Sequence, residues 1–147
     1  MIVRVTKKFS FDMAHALSGY DGACKNIHGH TYILHVTVKG PVINNAAETT
    51  DGMVLDFSTL KAIVKQEILT VFDHTLVLQK DSHHAKATSL LHDHERVMLV
   101  DYPPSAENLL LDMLCRLQPK LPTSVVLQSL RLDETPTSSA TWFLEDN

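Results

Sequence analysis

Nine histidines stand in a chain of 147 residues whose aromatic content is only 6%. Three of them are spaced for chemistry. His28-Gly29-His30 puts two imidazoles at positions i and i+2, and on a strand such side chains project from one face. Gly29 between them leaves room for a neighbouring backbone to come close. Upstream, Phe9, Phe11, Met13 and His15 share one parity. If the two stretches pair as a hairpin, three imidazoles converge, and three neutral imidazoles with one open position make a catalytic zinc site. The spacing also fits two ordinary hydrogen-bonded histidines with no metal.

Cys24 lies four residues before His28. It can be read as a base or nucleophile whose pKa is lowered by Zn²⁺ or an imidazolium, as a fourth ligand closing a structural site, or as a small hydrophobe. Cys115 falls within an apolar helical segment and reads as core packing. Glu134 shares parity with Leu130 and Leu132. A carboxylate on such an apolar face needs a cation or a hydrogen-bond donor as partner; if the strand ends earlier, Glu134 is a solvated turn residue. In Asp73-His74 the acid could orient the ring, or the imidazolium could sit at the negative end of a helix dipole. Glu107, near a helix start, is accounted for by the dipole alone. His83, His84, His92 and His94 read as solvated loop residues or as a second metal cluster.

The elements that must hold these residues follow from periodicity. Residues 2–15 alternate as a strand, 16–27 read as a loop, and alternation returns from His28 to Lys39, ended by Gly40-Pro41. Residues 58–72 take a helical period, with Leu60, Ile63, Val64, Ile68, Val71 and Phe72 in one stripe and Asp56 or Ser58 placed to cap it. Pro103-Pro104-Ser105 announces a second helix with a stripe of Leu110, Met113, Leu114 and Leu117, ended by Pro119. Residues 79–95 are polar. Short strands are expected at 97–100, 125–133 and 140–144. The pattern predicts an α+β domain, an antiparallel sheet with helices on one face.

The length fits one domain spanning 1–147. Thirteen Lys+Arg against 17 Asp+Glu give a net charge of −4, which argues against a broad nucleic-acid surface. No run of 18 apolar residues is present, and the first residues lack the apolar core of a signal peptide, so a cytoplasmic protein is expected. Two cysteines make no disulfide framework.

Taken in order, the motifs resemble one known family. Phe11-Asp12-Met13-Ala14-His15 is followed by Cys24-x-x-x-His28-Gly29-His30. Then come Gly52-Met53-Val54-Leu55-Asp56-Phe57 with Leu60-Lys61, Asp73-His74, Pro104-Ser105-Ala106-Glu107-Asn108 and Glu134-Thr135. The succession resembles the 6-pyruvoyl-tetrahydropterin synthase family over about residues 5–143, apart from an insertion at about 79–101. The four-residue step from Cys24 to His28 looks like its 6-carboxy-tetrahydropterin synthase branch.

The resemblance implies the tunnelling fold: a four-stranded antiparallel sheet with two helices on one face, assembled as trimers that stack into hexamers. It implies a lyase acting on 7,8-dihydroneopterin triphosphate. The product would be 6-carboxy-5,6,7,8-tetrahydropterin, with release of acetaldehyde and triphosphate, in a queuosine (7-deazapurine) precursor pathway. The pyruvoyl-forming triphosphate elimination and a non-catalytic zinc module are the alternatives. By position, the resemblance makes His15, His28 and His30 the Zn²⁺ ligands and Cys24 the general base or acid, with Asp73 and His74 completing a relay to which Cys24 could be contributed across a subunit interface. It gives Glu134 the grip on the pterin ring and Glu107 a supporting place at the pocket. Lys25, beside Cys24, is a candidate partner for the triphosphate.

Overall fold

The structure, a computed structural model, describes residues 1–87 and 96–147. Its frame is a hairpin of two long strands, β1 (Ile2–His15) and β2 (His28–Pro41), paired antiparallel from Ile2–Pro41 to His15–His28. Alternation decides the faces. Phe9, Phe11, Met13 and His15 of β1 are buried together with Tyr32, Leu34, Val36 and Val38 of β2. Of the other parity, Lys8, Ser10 and Thr31 are exposed and Ala14, His35, Thr37 and Lys39 are half-buried.

Two helical segments cover the buried face. The first runs through α1 (Phe57–Val64), a wider π-helical turn at Lys65–Leu69, and α2 (Thr70–Phe72). Asp56 caps it as expected, accepting from Ser58 N at 2.7 Å. Leu60, Val64, Ile68 and Phe72, spaced by four, are all fully buried. In a 3.6-residue helix a strict spacing of four drifts by about 40° per step; the wider π turn absorbs that drift and keeps all four side chains on the sheet. The second segment is α4 (Ala106–Leu117), capped by Ser105, with Leu109, Leu110, Met113 and Leu117 buried. Cys115 lies on the far side of α4, exposed as is Leu111 one turn earlier. It is not a core residue: position 115 falls off the 110–113–117 stripe, which the segment's overall apolar character concealed.

The sheet differs from the expected four antiparallel strands. It is mixed and six-stranded, in the order β4-β3-β1-β2-β5-β6, with β3 at Thr75–Gln79, β4 at Val97–Val100, β5 at Val126–Thr135 and β6 at Ser138–Phe143. β3 pairs parallel to β1 (Met13 opposite Thr75), and β4 pairs parallel to β3. The helical crossover after β2 returns the chain in the direction of β1, which makes a parallel neighbour. β3 shows no alternation because it is buried on both faces. Val77 enters the main core, and Leu78 packs with Ala16 and Ala85 under the short helix α3 (His83–Ala87). A continuous apolar run is the signature of such a strand. The expected 79–101 insertion is therefore partly sheet. His92 and His94 lie outside the described residues. Among the described residues no helix is long and apolar enough to cross a membrane.

Candidate metal and pterin site

The hairpin register brings the histidines together. His15 lies directly opposite His28, and Met13 opposite His30, so all three imidazoles emerge from the buried face at one end of the sheet. A Cβ on Gly29 would stand 3.2 Å from Met13 O, so glycine permits the close strand approach. One ligand atom from each of His15, His28 and His30 lies within 4.8 Å of the others, and among the described residues this is the one group of its kind. His83 and His84 stack on each other 3.8 Å apart, and His84 Nε2 contacts Lys25 O at 2.6 Å; they form no second cluster among the described residues.

The ring orientations fit a metal ion. His15 Nδ1 lies 2.7 Å from Pro104 O, and His28 Nδ1 lies 2.8 Å from Asn26 O. A carbonyl oxygen only accepts, so each Nδ1 carries the proton and donates. Each Nε2 is then left with its lone pair, the arrangement that metal-ligating histidines adopt. His15 is 1% exposed. Burial lowers its pKa; the Pro104 hydrogen bond opposes this, and the neighbouring imidazoles add to the lowering. The neutral form, which is the ligating one, is thus favoured.

Glu134 reaches this cluster from the end of β5. Its Oε1 is 3.6 Å from His15 Nε2, 3.9 Å from His30 Nε2 and 3.3 Å from the Tyr32 hydroxyl. The parity shared with Leu130 and Leu132 therefore carries through, and Glu134 stays on the buried face rather than turning into solvent. Tyr32 was not singled out from the sequence, where it reads as one more inward residue of β2. Its OH also lies 3.3 Å from His15 Nε2. Burial, then the Glu134 carboxylate and the nearby Cys24, push its pKa upward, so the hydroxyl keeps its proton.

Cys24 sits half-buried on a single 3₁₀ turn, Ala23–Lys25, whose loop is closed by Leu17 N donating to Cys24 O at 2.9 Å. Its sulfur lies outside the three-histidine group. Lys25 is exposed. Glu107 is exposed on the first turn of α4, two residues beyond the Ser105 cap.

Asp73 and His74 do face each other, although adjacent in sequence. His74 takes a left-handed conformation, φ 57°, which brings its Nδ1 to 2.9 Å from Asp73 Oδ1. Backbone bonds hold the turn: His74 N donates to Asp12 O at 2.7 Å, and Asp12 N to Asp73 Oδ1 at 3.0 Å. His74 lines a cavity of about 640 Å³ whose walls include Asp12, Ala14, Gly29, Thr31, Arg96 and also His30. Asp12, Ala14, Gly29 and Thr31 are of the parity opposite to His15 and His28, whereas His30 shares theirs, so the cavity touches both sides of the hairpin end. Among the described residues the pair makes no hydrogen bond to Cys24 or to the three histidines.

A family model described as 6-pyruvoyl tetrahydropterin synthase matches residues 4–145. The chain belongs to that family. Among curated members, a 6-carboxy-5,6,7,8-tetrahydropterin synthase from Haemophilus influenzae is 39% identical over 137 residues, 92% of this chain and 94% of that protein. One of the same name from Rickettsia bellii is 31% identical over 92% of this chain and 96% of its own. In structure, the Caenorhabditis elegans 6-pyruvoyl tetrahydropterin synthase superposes with a TM-score of 0.69 at 27% identity, covering 97% of this chain and 96% of that one. An uncharacterised protein from Wolinella succinogenes reaches 0.82 at 20% identity, covering 98% and 99% of the two chains, a likeness of fold alone. The 6-pyruvoyl tetrahydropterin synthase family thus accounts for the hairpin, the helices and the outer strands together.

Proposed function

We propose that this chain is a zinc-dependent lyase, a 6-carboxy-tetrahydropterin synthase. It would convert 7,8-dihydroneopterin triphosphate and water to 6-carboxy-5,6,7,8-tetrahydropterin, acetaldehyde and triphosphate. The observation that carries this reading is the cluster itself: oriented imidazole lone pairs beside a half-buried carboxylate, in a chain whose curated relatives bear that name. His15, His28 and His30 would hold Zn²⁺, which would supply Lewis acidity toward the hydroxyls of the substrate side chain. Glu134 accepts the adjacent N–H donors of the pterin's amino-pyrimidinone edge, which a carboxylate can take in parallel. Cys24 exchanges protons with the side chain. Its position outside the histidine group favours this over a closed Cys-His₃ structural site.

The Asp73–His74 pair belongs to the same relay in this reading, but it serves a neighbouring copy. Within one chain the pair makes no hydrogen bond to Cys24 or to the three histidines among the described residues, although His74 lines the same cavity as His30. The sheet supports such an assembly. Among the described residues its outer strands, β4 and β6, have unpaired edges, and Ile33 and Phe143 are exposed on the face that the helices leave bare. The protein is expected to run as a trimer or hexamer by light scattering coupled to gel filtration. Co-expressed Cys24→Ala and His74→Ala copies are expected to regain part of the activity that each lacks alone. A fully active monomer at nanomolar concentration would contradict both.

Incubating the purified protein with 7,8-dihydroneopterin triphosphate and assaying acetaldehyde tests the reaction. Triphosphate release without acetaldehyde would assign the pyruvoyl-forming elimination instead. Glu134→Gln tests the pterin grip. The change keeps the shape but replaces an acceptor with a donor, at a site where a charge-assisted pair is worth about 1.5–3 kcal/mol. Neopterin affinity should fall roughly 10–150-fold with zinc content unchanged. Equal affinities would reduce Glu134 to a bystander.

A further inference from the structure

Tyr32 has no task in the chemistry above, yet its hydroxyl stands between the site's two halves. The residue is fully buried. Its ring stacks on Phe11 at 5.5 Å and meets His15 and His30 edge-on at 6.1 and 5.5 Å, so packing fixes where the oxygen points. That oxygen is 3.3 Å from His15 Nε2 and 3.3 Å from Glu134 Oε1.

A tyrosine hydroxyl has one proton to donate. Because Pro104 O takes the Nδ1 proton of His15, His15 Nε2 is an acceptor, and so is the Glu134 carboxylate. Two acceptors therefore compete for a single proton over equal distances. The hydroxyl can therefore satisfy only one of them fully at a time.

We infer that Tyr32 is a positioning residue that couples occupancy of His15 Nε2 to the setting of Glu134. With the Nε2 lone pair engaged by the metal ion, the Tyr32 proton goes to Glu134 alone and fixes the carboxylate for the pterin edge. Without metal, the proton is shared and the carboxylate is held less firmly. A carboxylate has about four lone-pair sites, so one bond from Tyr32 leaves room for the pterin donors. The coupling is reciprocal by necessity: whatever metal does for pterin affinity through Tyr32, pterin does for metal affinity. The inference rests on the proposed pterin role of Glu134.

Unsubstituted pterin is the probe that isolates the effect. It carries the amino-pyrimidinone edge but no side-chain hydroxyls that could touch the metal. Its affinity is titrated by fluorescence for the wild type and Tyr32→Phe, each with and without Zn²⁺, and zinc affinity is measured separately by chelator competition. Zinc is expected to tighten pterin binding roughly 5-fold in the wild type. Tyr32→Phe should show a zinc effect near unity while binding zinc at least as tightly, since no hydroxyl contends for Nε2.

Wild-type binding that is indifferent to zinc overturns the coupling without any variant being needed. So does a Tyr32→Phe protein that keeps the zinc effect, or one whose zinc affinity falls, which would mark Tyr32 as structural. A wild type that binds no pterin with or without zinc overturns the pterin reading of Glu134 and the coupling with it; measurable binding without a zinc effect removes the coupling alone.

Discussion

The purified chain is expected to carry about one Zn²⁺ per copy, and His28→Ala to carry none after dialysis, as read by elemental analysis. The effect is large because the change removes a ligand. Loss of merely an orienting partner typically costs 10–100-fold in affinity, and the loss here should exceed that. His28 is the cleaner variant to make. It is half-buried, whereas His15 is 1% exposed and holds Pro104 O, so His15→Ala would also leave a cavity and an unpaired carbonyl. Full metal retention in all three of His15→Ala, His28→Ala and His30→Ala would remove this site from consideration.

Acid should act in the same direction. Burial lowers the pKa of His15 in the folded, metal-free chain, so the unfolded chain binds its proton first as pH drops. The folded state then holds fewer protons, and stability falls as pH falls through the ordinary histidine range near ~6.5 and below. Zinc binding needs neutral imidazoles and releases protons, so acidification weakens it as well. Stability of the metal-free protein that stays constant through this window would contradict the depressed His15 pKa.

Cys24→Ala is expected to keep its zinc and lose turnover by at least ~10²-fold, the scale of a single general acid–base step. Zinc should remain because the sulfur stands outside the group that His15, His28 and His30 form. Loss of metal and stability together would instead make Cys24 a ligand, and wild-type turnover would dispose of both roles. Cys115→Ser is the control. Exposed on the outer side of α4, it should change neither turnover nor stability, as surface substitutions usually stay within about 0.5 kcal/mol.

The alternation of β1 and β2 was enough to put His15, His28 and His30 on one face with Phe9, Phe11 and Met13. A period of two admits no other assignment once one face is buried. The same rule offered Glu134 a place with Leu130 and Leu132, which the run of β5 to Thr135 decided, and local chemistry at the helix start offered Asp56 or Ser58 as the cap, which Asp56 fills. Each of these is fixed by residues close in sequence. β3 was not legible, because burial on both faces erases the alternation that marks a strand, and with it went the parallel pairing and the six-stranded order. The Asp73–His74 contact depended on a left-handed backbone at His74 that is held by Asp12, a residue sixty-one positions from Asp73. Cys115 was misread because the apolar character of its segment outweighed its place off the stripe of Leu110, Met113 and Leu117. The Tyr32 hydroxyl meets Glu134 across 102 residues, and His15 meets Pro104 across 89. Such meetings depend on strand register and on the route of a helical crossover. No local period encodes them, so the sequence determined which imidazoles share a face and only the tertiary structure decided how they are braced.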